Sequence, residues 1–343
     1  GPGAPQLLVD AGQASSGEGA ATSLIWDSQA IDESSGAHTV YGAAAGDFLL
    51  RLEARHVDVV QDQAFDFAPY TAESLGLGGF SRGSFDDYDG DRDPDLMTEG
   101  PRLYRNDGGV FVEVTAEALP EGGGCNGGTW GDYDNDGDPD WFCTAHADRL
   151  LRNDGGVFVD VTGESGIDDT QPHTCDGVAD TQHVPTEAAA WIDYDGDGWL
   201  DLYMGNFHCW TEYMASVDLL WRNNGDGTFT DVTYDSQVVF WQYGQQPSRG
   251  LAPADMDGDG HMDLLVTNYV LDRNLAWHNQ GDGTFSEVGE ATTLMGTLDF
   301  DSSNIKRYGH SIGAAWGDFD LDGQLDVFIA NLAHPRFIEF SDK

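Results

Sequence analysis

The chain has 343 residues and carries 61 Asp and Glu against 15 Lys and Arg, a formal net charge of −46. That balance excludes a nucleic-acid binder that neutralises phosphates and attachment to an anionic membrane by charge alone. Hydrophobic residues make up 40% of the chain, which also holds 10 Trp and 45 Gly, so a folded core is expected rather than disorder, and no apolar run reaches the ~20 residues of a membrane span.

Residues 1–37 are rich in Gly and Ser around Gly12–Gly19, with strands expected at Leu7–Val9 and Leu24–Trp26. From residue 38 a degenerate repeat begins, with strand-like stretches at Gly42–Asp47, Phe48–Glu53 and His56–Gln61. Five copies of Asp-x-Asp-x-Asp-x-x-x-Asp follow, and the degenerate copy has a tight connection where they have an acidic loop. Their side chains are Asp87, Asp89, Asp91 and Asp95, then Asp132, Asp134, Asp136 and Asp140, then Asp193, Asp195, Asp197 and Asp201. The last two sets are Asp255, Asp257, Asp259 and Asp263, and Asp318, Asp320, Asp322 and Asp326. The first aspartates lie 45, 61, 62 and 63 residues apart, so this is a repeat protein.

The flanks repeat too. An aromatic stands two residues before the first Asp in Phe85, Trp130, Trp191 and Trp316, and apolar runs such as Leu264-Leu265-Val266 follow the last. The three Trp are expected to pack between neighbouring repeats. Next comes a turn between apolar stretches, as in Leu103-Tyr104-Arg105-Asn106-Asp107-Gly108 and Trp221-Arg222-Asn223-Asn224-Gly225. Asn, Asp and Gly tolerate the positive φ of tight hairpins, so each repeat supplies about four short strands. Four-stranded units at this period indicate an all-β fold, a β-propeller. Six blades are countable, and a seventh can be assembled partly from residues 1–37. An open ring would leave pairable strand edges, so the N-terminal segment is expected to close the last blade, with residues 38–343 forming a single propeller domain.

The loops carry the clearest chemistry. Carboxylates at positions one, three, five and nine gather on one side of a tight turn, and Gly at position six lets the backbone wrap an ion. Hard oxygen donors in a flexible cage suit Ca²⁺ better than Mg²⁺. Position seven, which is Asp93, Asp138, Trp199, His261 or Gln324, is expected to add its backbone carbonyl, giving about five Ca²⁺ sites. An EF-hand does not fit, because the last acid falls at nine and strands flank the loop. The bland alternative is an acidic turn that binds nothing, and five copies argue against it. The first copy departs from the rest, with Arg92 where the others have Gly137, Gly198, Gly260 and Gly323, so weaker binding or a distorted turn is expected there. Calcium is expected to brace the fold rather than to react, since clustered carboxylates repel one another without it.

Cys125, Cys143, Cys175 and Cys209 allow three pairings, and no zinc spacing occurs. The first two flank the second acidic loop and the last two flank the third, so 125–143 and 175–209 are the expected disulfides, against the alternative of four reduced thiols. Disulfides and calcium both suit an oxidising exterior. Ligand candidates lie just outside strand ends: His146, His208, Arg249, His310 and His334. Asn206, Asn268 and Asn331 each stand five residues after the last loop Asp and read as structural caps. Trp210 and Trp241, with Tyr213 and Tyr243, lie in the longest insertions, where aromatics stack on sugars, anchor partners or pack beneath their own loop.

The repeats resemble the FG-GAP/VCBS blades of integrin α-subunit heads and of many secreted bacterial proteins. Gly131-Asp132-Tyr133-Asp134-Asn135-Asp136-Gly137-Asp138-Pro139-Asp140, with Leu151-Arg152-Asn153-Asp154-Gly155, is especially similar to the ASPIC/UnbV group, which includes the cartilage acidic proteins. That resemblance, over residues 38–343, implies a calcium-stabilised propeller, usually of seven blades, acting in adhesion or recognition. No ASPIC-type domain follows Lys343, so a fragment, a processed product or a divergent member is expected. The resulting expectation is a secreted, periplasmic or cell-surface scaffold that binds a protein or glycan at one propeller face. The alternatives are a carbohydrate-active lyase or hydrolase with an axial site, and a structural subunit beside a partner chain in an extracellular assembly. No nucleophile elbow, phosphate loop or zinc helix motif is present, so no catalytic residue is assigned. Only 20 of the 61 acids are the loop aspartates named above, so most of the negative charge is a surface property that favours basic over polyanionic partners.

Overall fold

Each acidic nonapeptide is too polar to bury and needs two left-handed residues, so it cannot continue a strand. It therefore ends one strand and starts the next. The structure, a computed structural model, describes residues 7–10, 22–26, 38–42, 53–54, 77, 80–145, 147–168, 173–175, 178–180, 186–207, 216–239, 246–296, 299–300 and 306–332. For 7–54, 173–180, 299–300 and 306–307 this description is of the backbone.

The first sheet is β1 (Leu7–Asp10), β2 (Thr22–Trp26), β3 (His38–Gly42) and β4 (Glu53–Ala54). The second is β5 (Gly83–Asp86), β6 (Asp95–Thr98), β7 (Arg102–Asn106) and β8 (Phe111–Glu113). The third is β9 (Gly127–Gly131), β10 (Asp140–Thr144), β11 (Arg149–Asn153) and β12 (Phe158–Asp160). A two-stranded ribbon, β13 (His173–Cys175) and β14 (Val178–Asp180), precedes the fourth sheet. That sheet is β15 (Thr186–Ile192), β16 (Asp201–Asn206), β17 (Leu219–Asn223) and β18 (Phe229–Asp231). The fifth is β19 (Ser248–Ala254), β20 (Asp263–Asn268), β21 (Leu275–Asn279) and β22 (Phe285–Glu287). The ribbon β23 (Asp299–Phe300) and β24 (Lys306–Arg307) and the pair β25 (Ser311–Gly317) and β26 (Asp326–Asn331) complete the described strands. One-turn helices α1 (Thr115–Ala118), α2 (Thr162–Ser165) and α3 (Gly289–Thr292) follow three outer strands.

This is the expected all-β propeller architecture, with antiparallel meanders in chain order as blades. The first strands of successive blades pack side by side, β5 on β9, β9 on β15, β15 on β19 and β19 on β25. The second strands β6, β10, β16 and β20 are buried on both faces, which is why they read as unbroken apolar runs such as Trp141-Phe142-Cys143 and Leu202-Tyr203-Met204. The core is accordingly a series of layers between sheets. One layer joins Met97 and Leu103 to Trp130 and Trp141, and the next joins Tyr133 and Phe142 to Trp191 and Leu202.

The expected N-terminal strands at Leu7–Val9 and Leu24–Trp26 are present. Leu7–Asp10 pairs with Thr22–Trp26 in the first sheet, and among the described residues no N-terminal strand joins β25 and β26. Residues on both sides of the 37/38 boundary thus share one sheet. In the degenerate repeat the described strands are His38–Gly42 and Glu53–Ala54, and the expected stretches Gly42–Asp47, Phe48–Glu53 and His56–Gln61 lie almost wholly outside the described residues.

The Trp expectation is supported by inter-blade contacts. Trp130 Nε1 donates to Ser84 O of the preceding blade at 3.2 Å, and Trp316 Nε1 to Ala252 O at 2.9 Å. Trp191 lies so close to Gly131 that a Cβ there would run into its indole.

Candidate functional site

The acidic loops fold by the same internal bonds. In the third, Asp193 Oδ1 accepts the N–H groups of Gly196 and Asp197 at 2.9 and 3.1 Å, and Oδ2 accepts that of Gly198 at 3.1 Å. Position five accepts the N–H of position seven, as in Trp199 to Asp197 Oδ1 at 2.9 Å. Closing the turn requires positive φ at positions four and six. Glycine supplies both in two loops, whereas Asn135 and Leu321 at position four, and Arg92 at position six, adopt φ of 59°, 61° and 78°. The Arg92 loop is not distorted in this respect, since its N–H reaches Asp87 Oδ2 at 2.8 Å as the glycine N–H groups do elsewhere.

The position-nine carboxylate is the buried anchor. In Asp140, Oδ2 accepts the N–H of Tyr133 at 3.0 Å and Oδ1 that of Asn153 at 2.7 Å, and Asp95, Asp201 and Asp263 repeat the arrangement. Burial raises these acids against the opposing pull of the two N–H groups, Asp95 to about 6, Asp140 to about 8 and Asp201 to about 7. Asp134 and Asp195 are also raised, first by burial and then by Asp136 and Asp197.

Carboxylate oxygens of Asp132, Asp134 and Asp136 lie within 4.8 Å of one another, as do those of Asp193, Asp195 and Asp197 and of Asp255, Asp257 and Asp259. In the first loop the close set is Asp87, Asp89 and Asp95. Oδ1 of Asp87 and Oδ1 of Asp134 are buried with no hydrogen-bond partner. A buried anionic oxygen without a donor fits a cation, and an all-oxygen set fits a hard one. The loops therefore suit Ca²⁺.

Position-seven side chains face their own hairpin. Asp93 and Asp138 accept the N–H groups of Gly108 and Gly155, and Trp199 and His261 lie against Gly225 and Gly281. The fourth loop differs from the others, for His278 takes the place of Arg105, Arg152 and Arg222 and sets Nδ1 3.1 Å from Asp263 Oδ1 and 3.6 Å from Asp257 Oδ2.

Sequence reasoning treated the hairpin Asn as turn chemistry and missed its second task. Asn153 Nδ2 donates to Tyr88 O, Asn223 Nδ2 to Tyr133 O and Asn279 Nδ2 to Tyr194 O, at 2.8, 2.8 and 2.7 Å. Each acceptor belongs to the acidic loop of the preceding blade. The available signal was Asn at one hairpin position in Asn106, Asn153, Asn223 and Asn279 while its follower varied.

Of the ligand candidates, Arg249 and His310 are brought near each other. The Arg249 guanidinium lies 5.6 Å from the Phe207 ring centre and 5.5 Å from that of Tyr269, whose ring is 4.7 Å from His310. Arg249 also meets Glu187 at 3.0 Å, and Arg82, missed by sequence reasoning, meets the same Oε2 at 2.6 Å. Three blades thus converge on Glu187, at a β-bulge between Thr186 and Ala188 that recurs between Ser248 and Gly250 and between Ser311 and Gly313. His146, His208, Trp210, Trp241, His334 and Cys209 lie outside the described residues, as does the side chain of Cys175. Cys125 and Cys143 form the expected disulfide, with Cα atoms 5.5 Å apart. Asn206, Asn268 and Asn331 act as caps, accepting from Thr186, Ser248 and Ser311 at 3.0, 3.3 and 3.0 Å.

The family model for FG-GAP-like repeats matches residues 87–143, 193–266 and 255–329. The chain belongs to the FG-GAP-like repeat family. All five acidic loops fall inside those matches. Cartilage acidic protein 1 of Xenopus tropicalis is 31% identical over 120 residues, a stretch covering 34% of this chain and 16% of that relative. Among solved structures, an Agrocybe aegerita lectin that recognises non-reducing terminal N-acetylglucosamine is 16% identical, with a TM-score of 0.42 over 90% of this chain and 71% of that one. The V. cholerae biofilm matrix protein Bap1 is 12% identical, with a TM-score of 0.36 over 75% and 35% of the respective chains.

Proposed function

We propose that this FG-GAP repeat chain is a calcium-braced recognition module of an oxidising, extracellular or periplasmic space, binding a protein or glycan partner at one propeller face. The observation that carries the metal reading is the pair of buried carboxylate oxygens, Asp87 Oδ1 and Asp134 Oδ1, that lack any donor inside loops of clustered acids. A cation bound by the folded state alone stabilises it by linkage. The Asp side chains at positions one, three, five and nine are the proposed ligands, with the position-seven carbonyls. The Cys125–Cys143 disulfide supports the oxidising location.

The test is thermal melting of the full chain after EDTA treatment and again with excess Ca²⁺, together with a calcium titration. A lower melting temperature in EDTA, restored by Ca²⁺, is the expected result. Superimposable melting curves would refute the metal reading.

A further inference from the structure

The residue before the hairpin Asn is Arg105, Arg152 and Arg222 in the second, third and fourth blades, and His278 in the fifth. Arg105 and Arg152 are each forked onto the acid two residues on, Asp107 at 2.8 Å and Asp154 at 2.7 Å. The fifth blade has Gln280 at that place, which offers no carboxylate. Its imidazole faces the fourth acidic loop instead, with Nδ1 3.1 Å from Asp263 Oδ1 and 3.6 Å from Asp257 Oδ2.

A bare ring nitrogen so placed would set its lone pair against those of two carboxylates, so the gap between them holds a proton or a cation. A proton accounts for the 3.1 Å contact alone, because 3.6 Å is beyond hydrogen-bond reach. Donors on a tetrahedral ion, bound at ~2.0–2.1 Å, stand about 3.3–3.4 Å apart, which matches both separations. Asp257 Oδ2 is also free to bind, since among the described residues the loop's own N–H from Asp259 goes to Oδ1. Asp263 is buried while His278 and Asp257 reach the surface, so an ion has a path from solvent.

The donor set selects the ion. Ca²⁺ and Mg²⁺ take oxygen, and the neighbouring set of Asp255, Asp257 and Asp259 supplies only that. An imidazole nitrogen beside two carboxylates suits Zn²⁺ and its first-row relatives. We propose that Asp257, Asp263 and His278 bind a transition ion of the zinc class, which sets the fourth acidic loop apart from the loops whose hairpins carry Arg. Three protein donors leave the fourth position to water. The proposal rests on the reading of the acidic loops as metal sites and changes the ion in one of them.

The experiment is calorimetric titration of the full chain with Zn²⁺ in excess Ca²⁺, for the native sequence, His278→Arg and His278→Gln. His278→Arg installs the residue of the other three hairpins, so it is expected to fold. The native chain is expected to bind Zn²⁺ at this loop, and both variants to bind it ~10-fold or more weakly there. Co²⁺ in place of Zn²⁺ reads the geometry, since a four-coordinate ion absorbs strongly in the visible range. That absorption is expected in the native chain, to survive excess Ca²⁺ and to vanish in both variants. Absence of Zn²⁺ binding, Zn²⁺ binding unchanged in both variants, or Co²⁺ absorption erased by Ca²⁺ would overturn the proposal and leave His278 a hydrogen-bond donor to Asp263. Calcium-dependent melting is read on the same samples. Its absence would sink the metal reading of every loop, whereas failure with zinc alone leaves the calcium-braced module standing.

Discussion

Asn153 Nδ2 donates to the carbonyl oxygen of Tyr88, 2.8 Å away in the acidic loop of the preceding blade. The ring of Tyr88 stacks 6.1 Å from that of Phe158, which ends the same hairpin turn. Tyr133 with Asn223 and Phe229, and Tyr194 with Asn279 and Phe285, repeat both contacts. Each of these three loops is therefore held twice, by its own position-nine carboxylate and by the hairpin of the next blade. A cation bound in one loop would order its neighbour as well, through that hydrogen bond and ring contact.

Removing the Asn side chain tests that link. Asn153 is fully buried, and its truncation strands Tyr88 O, Pro139 O and the N–H of Gly156. Asn153→Ala is expected to cost about 2–3 kcal/mol. Asn106 is less buried and, among the described residues, bonds only within its own blade, so Asn106→Ala is expected to cost about 1 kcal/mol. Urea unfolding of both variants supplies the comparison, and equal losses would mean that the inter-blade bond adds nothing.

Burial of the position-nine acids makes the ion-free protein sensitive to pH. Asp95, Asp140 and Asp201 titrate near 6, 8 and 7 when folded, above the ~3.9 of an unfolded chain. Between those values the folded state holds more protons than the unfolded one. Their contribution to stability is therefore complete below about pH 4 and lost as pH rises through the folded values. Cation binding competes with these protons, so apparent calcium affinity rises over the same window. In EDTA the melting temperature is expected to fall from about pH 5 to about pH 8, and saturating Ca²⁺ to remove most of that fall. Asp218, raised to about 7 by burial away from the loops, keeps its share in either state. A pH profile that Ca²⁺ leaves unchanged would contradict this account.

How far the sequence led depended on periodicity. The acidic register and the hairpin turns are local signals repeated at a readable spacing, so blades, loops and the Trp130, Trp191 and Trp316 contacts were legible. The double duty of Asn153 was hidden because turn chemistry already explained an Asn there. Arg82 and Glu187 meet across an intervening blade, 105 residues apart, and the bulge position of Glu187 carries a different residue in each later blade, Arg249 and Ile312. Only the packing of first strands brings them together. At the N-terminus the apolar run Leu7-Leu8-Val9 marked a strand, but the partner of a lone strand has no sequence mark, and Leu7–Asp10 pairs with Thr22–Trp26.

Arg92 offers the last test, because it holds a left-handed φ of 78° where four other loops use Gly. A side chain in that region costs about 1–2 kcal/mol, partly offset in a Gly variant by the greater freedom of the unfolded chain. Its N–H already makes the bond to Asp87 Oδ2, so substitution leaves the loop's hydrogen bonds intact. Arg92→Gly is expected to be more stable than the native chain by about 0.5–1 kcal/mol in EDTA. Arg92→Ala removes the same positive charge but keeps the strained φ, and should show no such gain. Both variants remove a cation from beside Asp87, Asp89 and Asp91, so both should bind Ca²⁺ more tightly at this loop. Melting in EDTA separates strain from charge, and calcium titration reads the charge alone. If Arg92→Gly melts no higher than Arg92→Ala, the left-handed backbone at Arg92 costs the fold nothing.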